Sequence, residues 1–300
     1  MILRDFRPGT TPKHKFQLTP HQQMLLMPVG DVHAWSDGWP EDRFRDHIKW
    51  GVSQGAYFLG MGEYLDFTST SQRDILRKLR GSQQKQLDGM LRTAVERLAK
   101  LMKPSRGRWL GMLEGHHYHQ FQDGTTTDQY LCQLLDAPFL GTSTLMTVRL
   151  GRPSGGSDGC DVIIFAHHGC GSGGRKQGSH LHKLEDLLGW IEADIYLMGH
   201  THAKVTSPVD RLYRTHGGYL YHRTKILART GGFLRGYVAH EATERTSTTV
   251  PADTLRGGYV EQAALAPSAL GGIVLSLGYK RIVESGGKVD LTVPDLHFSV

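Results

Sequence analysis

Cysteine is scarce in this chain: its 300 residues include only Cys132, Cys160 and Cys170. Three scattered thiols are too few for a disulfide framework or a structural zinc site, so we interpret them mainly as small apolar residues. No apolar run approaches the ~18 residues of a membrane span. The N-terminal stretch MILRDFRPGTTPKHKF is charged and interrupted by proline, unlike a secretory signal. We therefore expect a cytoplasmic protein without membrane segments.

Aromatic residues are absent from the basic stretch 73–100, which has the apolar spacing of a helix. This absence argues against base stacking there and favours a solvated helix face, although a basic helix can also follow a nucleic-acid backbone. The formal net charge of the whole chain is +6. Such a charge favours anionic partners: a phosphorylated small molecule, a nucleotide or a nucleic acid. The sequence leaves the oligomeric state open, and a homodimer is one option.

Apolar runs alternate with helical patterns along most of the chain, which is typical of an α/β fold with helices packed on a sheet. The runs expected to form strands in this part are 24–29, 57–59, 109–113, 145–150, 162–166 and 195–198. After His202 short strands dominate, with predictions at 225–228, 233–238, 273–277 and 288–293. We expect residues 1–23 to be an irregular lead-in. Within a single domain over residues 1–300, we expect a metal-binding half at 24–205 and a mainly β half at 206–300 that supplies a second sheet.

Histidines and carboxylates follow five of the predicted strands, directly where each apolar run ends. The side chains concerned are Asp31, His33, Glu63, His116, His117, His167, His200 and His202. Because strand ends in an α/β sheet meet at one edge, we expect these groups to lie together. Imidazole and carboxylate ligands without thiolate suit a divalent ion such as Mn, Zn, Fe or Ni. Eight such groups exceed the needs of one catalytic ion, so the sequence predicts two.

The chain resembles the calcineurin-like metallophosphoesterase family, whose five blocks in order are D-x-H, G-D-x-x-D/N, G-N-H-D/E, H and G-H-x-H. The corresponding segments are Asp31-Val32-His33, Gly62-Glu63-Tyr64-Leu65-Asp66, Gly115-His116-His117-Tyr118, His167-His168 and Gly199-His200-Thr201-His202. The resemblance covers roughly residues 24–205, and the remainder looks like the C-terminal part of phage and bacterial members. It implies a four-layer α/β/β/α sandwich in which helices flank two mixed sheets.

The resemblance also implies roles for individual residues. Asp31, His33 and His202 would hold one metal, His116, His167 and His200 the second, and Glu63 would bridge both. A hydroxide between the metals would attack phosphorus. His117 would protonate or stabilise the leaving oxygen, and Asp66 would orient His117. His168 and Arg175, the latter in a glycine-rich loop, are candidates for contacting substrate.

The chain departs from the family pattern at two ligands, because Glu63 replaces the bridging Asp and His116 replaces an Asn. Both substitutes can coordinate a divalent ion, although a longer bridge can change the metal spacing and weaken one site. In relatives the first histidine after the strand binds, which favours His167 over His168. We interpret His119 as a solvated loop residue.

Hydrolysis of a phosphodiester or nucleotide-like substrate is the preferred hypothesis for function. A phosphomonoesterase and a nuclease are alternatives within the same chemistry. A catalytically silent binding protein that keeps the fold is an alternative of a different class, supported only by the changes at Glu63 and His116. A metallo-β-lactamase-like hydrolase expects an early H-x-H-x-D-H block, whereas here the H-x-H comes late.

Overall fold

A computed structural model gives the structure of the protein. It describes residues 11–19, 22–36, 38–67, 73, 76, 81–151, 159–171, 176, 178–237, 266–283 and 290–300. Two mixed β-sheets and four α-helices are formed by these residues, as the α/β prediction requires.

The smaller sheet has five strands in the order β12-β11-β2-β3-β4. Its strands are β2 (Met24–Val29), β3 (Tyr57–Gly60), β4 (Trp109–Met112), β11 (Val274–Val283) and β12 (Asp290–Ser299). The three strands β2, β3 and β4 run parallel, so their carboxyl ends lie at the same edge. β11 is antiparallel to both β2 and β12.

The larger sheet has seven strands in the order β1-β5-β6-β7-β9-β10, with β8 also paired to β9. Its strands are β1 (Lys13–Gln17), β5 (Ser143–Gly151), β6 (Gly159–His167), β7 (Ile195–Met198), β8 (Lys204–Arg214), β9 (Leu220–Gly232) and β10 (Gly271–Gly272). The central strands β6, β7 and β9 are parallel, and they bring the ends of β6 and β7 together.

The helices are α1 (Glu41–Ser53), α2 (Gly81–Met102), α3 (Thr127–Leu135) and α4 (Ser179–Leu187), and a 3-10 turn (Lys103–Ser105) follows α2. α3 begins with a capping box: the Thr126 side chain accepts from the Gln129 amide, and the Gln129 side chain accepts from the Thr126 amide. Within the part of the chain that the structure describes, no helix is long and apolar enough to cross a membrane.

Three apolar clusters place the helices and sheets in layers. The first contains side chains of both sheets, among them Leu26, Leu59, Ile164, Leu197 and Ala228, and therefore lies between the sheets. The second joins α1, α2 and α3 to the other face of the five-stranded sheet, and the third joins α4 to the other face of the seven-stranded sheet. Both sheets are thus buried on two faces, an arrangement compatible with an α/β/β/α sandwich.

Three expectations about the elements are wrong. The lead-in is not wholly irregular, because Lys13–Gln17 forms an edge strand parallel to β5. Phe233 to Tyr237 do not form a strand, since β9 ends at Gly232. The chain after residue 205 does not supply a separate sheet: β8 and β9 extend the sheet of β5–β7, whereas β11 and β12 extend the sheet of β2–β4. The sheet in which a strand lies depends on pairing between segments that are far apart in sequence, which local sequence patterns do not predict.

Two helical glycines test the packing of this fold. A methyl group at Gly51 in α1 would lie 2.5 Å from Met27 Sδ and 2.9 Å from the buried Phe58 ring, whereas Gly89 in α2 has no atom within 4 Å. We expect Gly51→Ala to lower the free energy of unfolding by about 1–3 kcal/mol through overpacking. Gly89→Ala should raise it by about 0.5–1 kcal/mol through helix propensity. Urea unfolding of both variants checks this, and equal effects would contradict the packing of α1 on the five-stranded sheet.

Candidate metal centre

The loops that follow β2 and β3 are joined by backbone hydrogen bonds. The Asp31 amide donates to Gly62 O at 3.0 Å, and the amides of Val32 and His33 both donate to Glu63 O, at 2.8 and 3.0 Å. The D-x-H segment is therefore fixed against the segment that carries Glu63. A Cβ on the intervening Gly62 would lie 2.6 Å from His168 Nδ1, so this close approach requires glycine.

Left-handed backbone conformations concentrate at the predicted metal ligands. Asp31, His33, Glu63, His200 and His202 all have φ between 46° and 71°. Among the residues that the structure describes, the other non-glycine residues with positive φ are Trp35 and Asp136. Each such residue costs on the order of 1–3 kcal/mol and persists only where surrounding contacts hold it, which is typical of functional sites. The strain supports a role for these five side chains beyond packing.

The first donor group consists of Asp31, His33 and His202, whose ligand atoms all lie within 4.8 Å of one another. His33 Nε2 lies 3.2 Å from His202 Nε2. Two nitrogens that bind one ion at ~2.0–2.1 Å in a tetrahedral arrangement are separated by about 3.3 Å, so the observed spacing suits a shared ion. Asp31 is fully buried; its Oδ2 accepts from the His200 amide at 2.8 Å, but its Oδ1 has no hydrogen-bond partner.

The second donor group consists of Glu63, His116, His168 and His200, again with all ligand atoms within 4.8 Å. Glu63 belongs to this group and not to that of Asp31, His33 and His202, in contrast to the bridging role that the resemblance implies. His116 Nδ1 and His200 Nδ1 are 3.3 Å apart, and His168 Nε2 lies 3.1 Å from Glu63 Oε1. The Glu63 carboxylate also accepts the amides of His116 (2.7 Å, Oε1) and His117 (3.0 Å, Oε2). The carboxylate therefore joins the end of β3 to the segment after β4 and to the end of β6.

His168, and not His167, joins the second donor group, which corrects the sequence-based preference. In β6, Cys160, Val162, Ile164 and Ala166 face the core between the sheets, and by the same alternation His168 follows them. His167 continues the other face, and its Nδ1 accepts from the Gly169 amide at 2.7 Å.

A hydrogen bond to a backbone carbonyl fixes the orientation of His168. Its Nδ1 donates to Met61 O at 2.7 Å, which leaves Nε2 directed at Glu63, as in many metal-binding histidines. His168 is also only 1% exposed, so the expected contact with substrate is wrong.

A third group, His33, Asp66 and His117, lies beside the first donor group. Asp66 Oδ1 accepts from His117 Nδ1 at 2.6 Å, and Asp66 Oδ2 lies 3.5 Å from His33 Nδ1. The Asp66 carboxylate thus orients the His117 ring through Nδ1 and leaves its Nε2 available, whereas His33 Nδ1 makes no hydrogen bond. His117 is part-exposed, as a group that meets substrate must be.

Burial controls the protonation of most of these imidazoles. It lowers the pKa of His202 to about 3 and that of His200 to about 4, with nearby imidazolium charge acting in the same direction. Burial and the charge of His168 also lower the pKa of His116. These three rings are therefore neutral at pH 7, the form that binds metal ions. Burial raises the pKa of Asp31 to about 6.

Glu63 and His168 form a buried ion pair in which attraction exceeds desolvation. Burial alone would raise the pKa of Glu63, but the hydrogen bond to His168 and surrounding histidines lower it to about 2. Burial would likewise lower the pKa of His168, but Glu63 and Asp31 raise it to about 9. The site thus stabilises positive charge between its carboxylates, which is the electrostatic requirement of a cation site.

Two buried acids anchor the loop that carries His116 and His117. Asp128, in the first turn of α3, accepts from the Gly115 amide at 2.9 Å, and burial raises its pKa to about 7. Asp88 of α2 pairs with His119 Nε2 at 3.0 Å and accepts from the Gln122 amide. His119 is only 3% exposed, so its interpretation as a solvated residue is wrong. Neither acid follows a strand, and the motif pattern did not indicate them.

Arg229 anchors the segment between β7 and β8, and it too was missed. It is 2% exposed and follows the apolar run Ile226–Ala228 in β9, a position where a charged residue is unusual. Its Nη1 donates to Gly199 O at 2.9 Å, and its Nε donates to His180 O at 2.7 Å. Arg229 therefore fixes the backbone that positions His200 and His202. Arg175, the other arginine considered, lies outside the described residues.

The donor groups fit a divalent ion on two structural grounds. Imidazole and carboxylate atoms from separate segments converge at distances suited to coordination, and Asp31 Oδ1 is a buried oxygen without a partner. Compared with protein-family models and with curated proteins, the chain gave no match.

Two adjacent histidines offer a matched test of this geometry. We expect His168→Ala to weaken metal affinity by more than the ~10–100-fold that loss of an outer-shell partner causes, since it removes a ligand. His167→Ala should retain the affinity of the parent chain. Zn²⁺ titration calorimetry, with circular dichroism to verify folding, provides the measurement. A loss of affinity only in His167→Ala would show that His167 is the ligand, and equal losses in the two variants would contradict the placement of His168 alone in the donor group.

Asp66 controls the protonation of His117. Its hydrogen bond is the main reason why the pKa of His117 is raised above 6.5. Asp66→Asn should therefore lower this pKa, so that the ring loses its proton at a lower pH. NMR titration of the His117 ring measures the effect, with Asp136→Asn, at the left-handed C-cap of α3, as a control that leaves the ring unchanged. An unaltered His117 titration in Asp66→Asn would exclude this pairing.

Proposed function

We propose that the chain is a metal-dependent phosphoric ester hydrolase that uses two divalent ions and acts on a phosphodiester or nucleotide-like substrate. The observation that carries the proposal is the placement of two neighbouring donor groups beside an oriented imidazole, His117, at the carboxyl ends of the central strands. Metal clusters with a proton donor alongside are suited to phosphoryl transfer, which depends on positioning and charge stabilisation. The net positive charge of the chain agrees with an anionic substrate.

Divalent ions at these donors would lower the pKa of water and stabilise charge on the phosphoryl oxygens. Asp31, His33 and His202 would hold one ion, and Glu63, His116, His168 and His200 the other. The backbone amides of His116 and His117 keep the Glu63 carboxylate in place, and Arg229 keeps the Gly199–His202 segment in place.

His117 is the group that we assign to the leaving oxygen. Asp66 accepts from its Nδ1 and raises its pKa, so the ring is protonated over a wider pH range and presents Nε2–H. A protonated imidazole at this position can donate a proton as the ester bond breaks. The same carboxylate faces His33, and it therefore couples the orientation of the proton donor to that of a ligand.

The resemblance to calcineurin-like metallophosphoesterases supports the same proposal. All five blocks occur in order, and the two-sheet α/β architecture is compatible with the expected four-layer sandwich. Glu63 and His116, the two departures, both point into the second donor group and offer coordinating atoms there. This geometry favours an active enzyme over a silent binding protein.

Hydrolysis of bis(p-nitrophenyl) phosphate tests the proposed function. We expect chelator-treated protein to be inactive and to regain activity with Mn²⁺ or Zn²⁺. His117→Gln should lower kcat by roughly 10²–10⁴-fold, the usual contribution of a general acid, while metal content stays unchanged. His182→Gln, a change in α4 outside the donor groups, serves as the control. No turnover of any mono- or diester by metal-loaded protein would refute the proposal.

A further inference from the structure

The two donor groups differ in the number of ligands and in how firmly their side chains are held. One group provides a carboxylate and three imidazoles, whereas the other provides a carboxylate and two imidazoles. Four ligands from the protein complete a tetrahedral site, while three leave at least one position for water or substrate. His116 completes the four-ligand group. At this position the calcineurin-like family has the amide of an Asn, and imidazole is a stronger ligand than an amide for ions such as Zn²⁺.

Hydrogen bonds pre-organise the group around Glu63. Both carboxylate oxygens of Glu63 accept backbone amides, and His168 is held through Nδ1 by the Met61 carbonyl. Gly115 precedes His116, and its amide is bound by the buried Asp128. Ligands that are already fixed lose little freedom when an ion binds, which increases affinity.

The group around Asp31 is held less completely. Asp31 Oδ1 and His33 Nδ1 have no hydrogen-bond partner, and His33 Nδ1 lies 3.5 Å from Asp66 Oδ2. An ion in this group would also be repelled by an ion already bound at the neighbouring group. Fewer ligands and weaker hydrogen-bond support give this group the lower affinity, and repulsion then weakens the binding of the ion that arrives second.

We infer that the chain retains one ion permanently, at Glu63, His116, His168 and His200, and binds its second ion, at Asp31, His33 and His202, reversibly. The second ion then switches the hydrolase on according to the free metal concentration. The switching role rests on the proposed function, whereas the inequality of the two sites does not. His116 is the residue that determines this inequality.

Metal retention and metal titration measure the difference in affinity between the two sites without any assay of activity. Protein loaded with Zn²⁺ and dialysed against a moderate chelator should keep about one ion per chain by mass spectrometry, because the four-ligand site is closed. Calorimetry of the dialysed protein should show one further, weaker site whose affinity is at least about tenfold lower, as expected when outer-shell support is missing.

Two matched variants assign the sites. His116→Asn should lose the retained ion on dialysis, because an amide oxygen replaces the third imidazole. Asp31→Asn should keep the retained ion and lose only the weak calorimetric site. Thermal unfolding of both variants verifies that they fold.

Two ions of equal affinity, or retention that survives His116→Asn, would overturn the inference and leave the proposed hydrolase intact. Binding of no ion under any condition would overturn both.

Discussion

The buried carboxylate of Glu63 is the group on which the rest of the site depends. It is 3% exposed, and burial alone would raise its pKa, yet the pKa is lowered because His168 and the nearby histidines stabilise its charge. The carboxylate also accepts two backbone amides. An unpaired buried carboxylate would be strongly unfavourable, so the ends of β3, β4 and β6 must meet around it. The parallel strands of the two sheets place these strand ends next to one another.

Much of the fold is encoded in local patterns. The strands β2, β3, β4 and β7 were predicted nearly to the residue, because each is a short apolar run that ends at glycine and polar residues. β1 and the pairing of β11 with β2 depend on contacts between distant segments, for which no local pattern exists. Pairing across the chain therefore decided where the C-terminal strands lie.

Most residues of the candidate site could also be predicted from the sequence, although several could not. Strand ends indicated six of the seven donors, and the family resemblance implied the Asp66–His117 pair. The choice of His167 over His168 failed because β6 is covered on both faces, so its apolar pattern does not reveal which face meets the site. Asp88, Asp128 and Arg229 support the site from helices and a neighbouring strand. Asp31 and His202 have left-handed φ values, which residue type alone does not predict.

The central claim is that residues from separate strand ends jointly bind divalent cations. A crystal structure of the Mn²⁺- or Zn²⁺-loaded protein, with anomalous scattering recorded at the metal edge, tests it most directly. The account predicts a strong peak at ~2.0–2.2 Å from donor atoms of Glu63, His116, His168 and His200. A second peak should lie beside Asp31, His33 and His202. Anomalous peaks confined to other parts of the molecule, or none at these side chains, would contradict the account.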